Sequence, residues 1–122
     1  MNQYTKVAIN AIDHMNGETN IVKEWNNSLK ELEINDKSCP RCAFLGLCED
    51  GYVKNVPKGK YTSSKLNKQY AIKALEIFRK NTHLTKKSLW KKVLKVLGYN
   101  ISKYENGQIS IVVDLYKNGY LK

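Results

Sequence analysis

Three cysteines carry the most recognisable chemistry in this chain. Cys39, Cys42 and Cys48 form a C-P-x-C-x5-C run. C-P-x-C is a zinc-ribbon knuckle, in which two thiolates hold one tetrahedral metal ion. A structural zinc site needs four ligands, and here the usual second C-x2-C is missing. The only histidines, His14 and His83, do not stand at ligand spacing. Cys39, Cys42 and Cys48 are therefore weak metal candidates, and the plain alternative makes Cys42 and Cys48 small core side chains. Cys39 differs. It falls between Ser38 and Pro40, a helix-start signature, where free N–H groups and the helix dipole favour a thiolate. It is the one candidate nucleophile or redox-sensitive thiol, although no histidine partner is visible and a βαβ context for a Cys39–Cys42 redox pair is lacking.

The second constellation is an anion-binding one. Residues 55–69 (NVPKGKYTSSKLNKQ) mix hydroxyls, amides and four Lys around a Pro-x-Gly turn. Backbone N–H groups with Lys, Tyr and Ser suit a phosphate, and the same composition also describes a solvated loop. Lys58, Lys60, Tyr61, Ser64, Lys65, Asn67 and Lys68 are the candidates here. Further along, Leu89, Trp90, Val93, Leu94, Val96 and Leu97 fall in one helical arc. Lys87, Lys91, Lys92 and Lys95 fall in the opposite one, and only Lys86 strays. Those four lysines complete the candidate anion-binding set. No P-loop, GxGxxG, HExxH or carboxylate pair is present, and no cofactor is implied.

The charge agrees with that placement. The chain has 122 residues and a net charge of +10. Residues 1–50 hold five basic and eight acidic residues, a net of −3, whereas residues 51–122 hold sixteen basic and three acidic, a net of +13. Such asymmetry can mark a polyanion-binding surface. The 19 Lys against 2 Arg argue the other way, because Arg is the better bidentate reader of phosphate and guanine. No apolar run approaches the length of a membrane span. Met1 to Asn10 has no apolar h-region, so no secretory signal is expected. Three cysteines do not make a disulfide framework, so a cytoplasmic location is expected.

Helices must position these residues. Apolar spacing predicts a helix over Gln3 to Met15, a second capped by Thr19 or Asn20, and a third capped by Ser38 and closed by Gly51. After the 55–69 loop, helical periodicity resumes at Tyr70. Thr85 caps a fifth helix that ends at Gly98, and Asn106 caps a sixth that closes at Gly119. The β-branched run Ile109–Val113 could form a strand, but its length, its Asn cap and its Gly stop favour helix. The fold class is all-α, with about six helices.

The two halves match. Tyr4-x3-Ala8-Ile9 aligns with Tyr70-x3-Ala74-Leu75 at an offset of 66, and Trp25-x3-Leu29-Lys30-x-Leu32 with Trp90-x3-Leu94-Lys95-x-Leu97 at an offset of 65. Gly51-Tyr-Val-Lys54 aligns with Gly119-Tyr-Leu-Lys122 at an offset of 68, where the predicted caps Ser38 and Asn106 also coincide. The expectation is a duplicated three-helix repeat (4–54 and 70–122, joined by linker 55–69) packed as one pseudo-twofold domain over 1–122. The first copy nets −2, the linker +4 and the second copy +8.

The stretch Cys39-Pro-Arg-x-Ala-Phe-Leu-Gly-Leu-Cys48, then Pro57-x-Gly59-x-Tyr61-Thr62, Ser64, Asn67-Lys68 and Tyr70-Ala71, resembles a family of small bacterial proteins known only as a domain of unknown function. The close, Asn106-x-Gln108-x3-Val112-Val113-x-Leu115 to Gly119, resembles the end of the same family. The resemblance implies a compact helical bacterial protein and brings no activity with it. Members of that family usually carry Gly where this chain has Cys42, which further weakens the zinc reading.

The leading functional reading is a non-enzymatic helical module that binds nucleic acid or another polyanion through the linker and helix 85–97. One alternative is a small enzyme or ligand-binding protein using Cys39 with the 55–70 loop. Another is a protein–protein interaction module, in which the acidic first copy meets the basic second copy of a neighbour in a homodimer.

Overall fold

The computed structural model describes all 122 residues and is built from six helices: α1 (Gln3–Asp13), α2 (Ile21–Glu31), α3 (Ser38–Glu49), α4 (Lys65–Lys80), α5 (Lys86–Leu97) and α6 (Gln108–Lys117). There is no sheet, only one antiparallel bridge between Val53 and Leu121. No helix is long and apolar enough to cross a membrane.

Amphipathic and buried helices divide the work. In α2, Ile21, Trp25, Ser28 and Leu29 are buried along one stripe, and in α5 the stripe is Leu89, Trp90, Val93 and Leu94. Both helices lay that stripe on the body and leave their charges in water. The helices α3 and α6 are different. Every residue from Cys42 to Cys48 is buried, as are Ile109, Ile111, Val112, Val113 and Leu115. Helices apolar on most sides must be interior. Accordingly α3 and α6 touch one another, while α4 covers both. One continuous core runs through all six helices, including Trp25, Phe44, Phe78 and Trp90.

Local capping chemistry sets several helix starts as the sequence predicts. The Asn20 side chain accepts from the Lys23 N–H at 2.9 Å, and Thr85 Oγ1 accepts from the Ser88 N–H at 3.1 Å. Three starts differ from expectation. The helix expected from Tyr70 begins at Lys65, because Ser64 caps it. Lys65, Asn67 and Lys68 therefore lie on a helix rather than in a loop. The residue preceding α3 is Lys37, which makes no side-chain cap, so Ser38 is the first helical residue. Asn106 does not cap α6. Gly107 occupies that position with φ +102°, and the Glu105 carboxylate accepts from the Gly107 and Ile109 N–H groups at 2.6 and 3.0 Å. A side chain at Gly107 would be strained there and would also crowd Pro40. The expected coincidence of caps between the two halves therefore does not hold.

At the Val53–Leu121 bridge the Lys54 N–H donates to Tyr120 O at 2.9 Å, and the Lys122 N–H donates to Tyr52 O at 2.8 Å. These are the residues matched at an offset of 68 in the sequence. The bond pair ties the end of the first half to the end of the second.

Candidate polyanion-binding surface

The cysteine segment forms α3. Cys48 is fully buried, Cys42 is buried and Cys39 is half-buried in the first turn; all three are free thiols. Burial pushes the Cys48 thiol well above its usual range. No group of three or more His, Cys, Asp or Glu side chains is placed to hold a metal ion. The ring of His14 bonds Asn10 O at 2.7 Å, and the backbone N–H of His83 bonds Asn81.

The 55–64 segment is organised around an acid from α3. Glu49 Oε2 accepts from the Tyr61 and Thr62 N–H groups at 2.7 and 3.0 Å, and its Oε1 accepts from Lys68 Nζ at 3.0 Å. Burial alone would raise this carboxyl. The Thr62, Lys68 and Tyr61 donors outweigh that and hold it below the ordinary carboxylate range. Lys68 also reaches Asp50 at 2.8 Å. Asp50 first, and Glu49 with it, raise the ammonium above its usual value. The phosphate-like arrangement of N–H groups and Lys is thus filled by the protein's own carboxylate.

Other linker candidates are similarly committed. Tyr61 donates its hydroxyl to Pro57 O at 2.6 Å. Ser64 caps α4, and Asn67 accepts from Gln108 of α6 at 3.0 Å. The aliphatic part of Lys58 lies over Gly51. Lys60 and Lys65 remain on the rim of an open polar cleft of about 540 Å³ with Ser63 and Ser64.

The second cluster lies where α5 faces the 99–105 connector. Lys87 and Lys91 line a cleft of about 380 Å³ together with Lys86, Trp90, Ile101, Lys103, Tyr104, Glu105 and Ser110. Lys92 and Lys95 are exposed but stand outside it. The connector is fixed from below. Trp90 Nε1 donates to Lys103 O at 2.8 Å, and Lys103 Nζ donates to the Tyr70 hydroxyl at 2.8 Å. That ammonium also sits 4.9 Å from the Tyr99 ring centroid and 5.6 Å from that of Tyr70, within cation–π range. Tyr70 meets the Trp90 ring edge-on at 4.9 Å.

Charge in this cleft is one-sided. Lys86 pairs with Asp114 at 3.0 Å, but Lys87 and Lys91 have no acidic partner. The one carboxylate of the cleft, Glu105, is turned to the N-terminus of α6. Seven of the eight tyrosines are engaged by the fold: Tyr4, Tyr61, Tyr70, Tyr99 and Tyr120 through their hydroxyls, Tyr52 under Arg79 and Tyr116 on Phe78. Tyr104 is 88% exposed, and neither its ring nor its hydroxyl has a partner.

Reasoning on sequence alone missed Lys86, Ile101, Lys103 and Tyr104. The available signal was the connector YNISKY, residues 99–104, which interleaves aromatics with a Lys directly after a Lys-rich helix. No curated protein and no solved structure matches the chain. A family model described as a family of unknown function (DUF6979) matches residues 1–122, the whole length, and the chain belongs to that family.

Proposed function

We propose that the protein is a non-enzymatic module that binds nucleic acid, through phosphate contacts, on the face formed by α5 and the 99–105 connector. One observation carries this reading: four lysines converge on a single cleft, only Lys86 among them has an acidic partner, and the cleft's own acid, Glu105, is spent on capping α6. Phosphate contacts of this kind position a strand without reading its sequence. The linker takes a smaller part, through Lys60 and Lys65, because Lys68 is neutralised by Glu49 and Asp50.

The test is retention on DNA and heparin as salt rises. Each phosphate neutralised contributes a slope of about −0.7 to −0.9 in log K against log salt, so contacts by Lys87 and Lys91 give about −1.4 to −1.8. The double variant Lys87→Glu/Lys91→Glu is compared with Lys60→Glu/Lys65→Glu, which changes net charge by the same amount. The α5 pair weakens binding more. No retention at low salt, or equal loss in the two variants, overturns the reading.

A further inference from the structure

Tyr104 is anomalous for a side chain of its kind. An aromatic ring left in water loses the stabilisation its burial would bring, and this one lines a basic cleft. Three of the seven large apolar side chains exposed on the chain, Tyr99, Ile101 and Tyr104, lie within six consecutive residues. Such a concentration beside lysines marks a surface built to meet something with both an apolar face and negative charge.

We infer that the α5–connector cleft takes an unpaired nucleobase of a single-stranded nucleic acid, stacked on Tyr104, with the flanking phosphates on Lys87 and Lys91. The inference rests on the nucleic-acid reading above and narrows it. In a duplex both faces of each base are covered by its neighbours, so a protruding ring finds nothing to stack on; a single strand offers its base faces freely. The cleft volume of about 380 Å³ is at the small end of ligand-pocket sizes, about 300–1,000 Å³, which suits one base rather than a helix. Trp90 and Lys103 hold the connector at the residue next to Tyr104, so the backbone that presents the ring is fixed while the ring itself stays free to stack. A ring and ammonium groups accept any base on any sugar–phosphate strand, so recognition is independent of sequence.

The experiment measures binding of a fluorescent oligo(dT) and of a duplex of equal length at one ionic strength, with circular dichroism to verify folding. The wild-type protein binds oligo(dT) more tightly than the duplex. Tyr104→Ala lowers the oligo(dT) affinity about 5- to 140-fold, the range set by one aromatic–base stack, and leaves the duplex affinity unchanged; Tyr104→Phe retains wild-type binding. If Tyr104→Ala changes neither probe, or weakens both alike, stacking is overturned and the electrostatic reading stands. If polyglutamate displaces oligo(dT) as readily as unlabelled oligo(dT) does, no base is recognised and the inference also fails. If the wild-type protein binds neither probe, both readings fall.

Discussion

Glu49→Gln tests what holds the 55–64 segment to the body. The native carboxylate is only 9% exposed and takes three donors, two backbone N–H groups on one oxygen and Lys68 on the other. A glutamine can satisfy one side only. Turning its carbonyl to the two N–H groups points its amide NH₂ at the Lys68 ammonium, and the reverse orientation leaves both N–H groups facing donors. A hydrogen bond to a charged group contributes about 1.5–3 kcal/mol, and an unsatisfied buried donor costs about 1–3 kcal/mol. Lys68 keeps Asp50 and some contact with water, so the loss stays below that of a fully buried broken pair and comes to about 2–4 kcal/mol. For 122 residues, unfolding entropy converts each kcal/mol into about 4 °C, so the melting temperature falls by about 8–16 °C. Asp50→Asn removes the other, exposed partner of Lys68 and costs about 0–1 kcal/mol. The carboxyl of Glu49 lies below its unfolded value in the fold, so its contribution is complete above the ordinary carboxylate range and is lost as pH falls through the lowered folded value. Calorimetry of wild type and variant across pH therefore shows a gap that narrows on acidification. A neutral-pH melting temperature within about 2 °C of wild type, or a gap that widens in acid, refutes the reasoning.

Three further outcomes follow from the packing. Gly46→Ala normally improves a helix by about 0.5–1 kcal/mol, but a Cβ there would lie 2.6 Å from Lys68 Cβ and 2.8 Å from its Cα. The resulting overpacking of about 1–3 kcal/mol makes the substitution destabilising, seen as a lower urea midpoint at unchanged m-value; a stabilised variant refutes the α3–α4 spacing. Asp114→Ala removes the acceptor of the buried Thr5 hydroxyl at 2.9 Å and the partner of Lys86, and costs about 1–3 kcal/mol in chemical denaturation; no change shows that α1, α5 and α6 are not tied at this point. Thiol labelling followed by mass spectrometry modifies Cys39 in the native protein and reaches Cys42 and Cys48 only on unfolding, and native labelling of Cys48 refutes the buried placement of α3.

Much of the fold is legible because its signals are local. Asn20 and Thr85 announce their helices by side-chain chemistry within three residues, and the apolar arc of α5 is visible from periodicity alone. The first turn of α4 is not, because KLNKQ contains one apolar residue, Leu66, and that residue is itself exposed. The fixed point there is the Ser64 cap. The start of α6 is hidden for another reason: its cap comes from Glu105, upstream of a left-handed Gly107. At the site the limits are similar. The linker reads as free anion-binding capacity because nothing local shows that Glu49, twelve and thirteen residues before Tyr61 and Thr62, occupies their N–H groups. Tyr104 becomes distinctive only once the other seven tyrosines have been placed.

The distribution of acids explains why the basic character of this chain concentrates on α5. Residues 51–122 hold only three carboxylates, and each has a fixed structural task. Glu76 pairs with Lys73, Asp114 holds Thr5 and Lys86, and Glu105 caps α6. None remains to neutralise Lys87, Lys91, Lys92 or Lys95. The linker is as lysine-rich, but it borrows Glu49 and Asp50 from the acidic first half, which lie close enough to engage Lys68. A free pair of unlike charges at the surface is screened over about 8 Å at physiological salt, so acids elsewhere on the molecule do little to cancel an unpaired cluster. Charge that looks evenly shared between linker and helix in the sequence is therefore uneven in the fold: Glu49 takes the N–H groups of Tyr61 and Thr62 to hold the loop, whereas Lys87 and Lys91 of α5 stay free beside Tyr104, the one tyrosine without a partner.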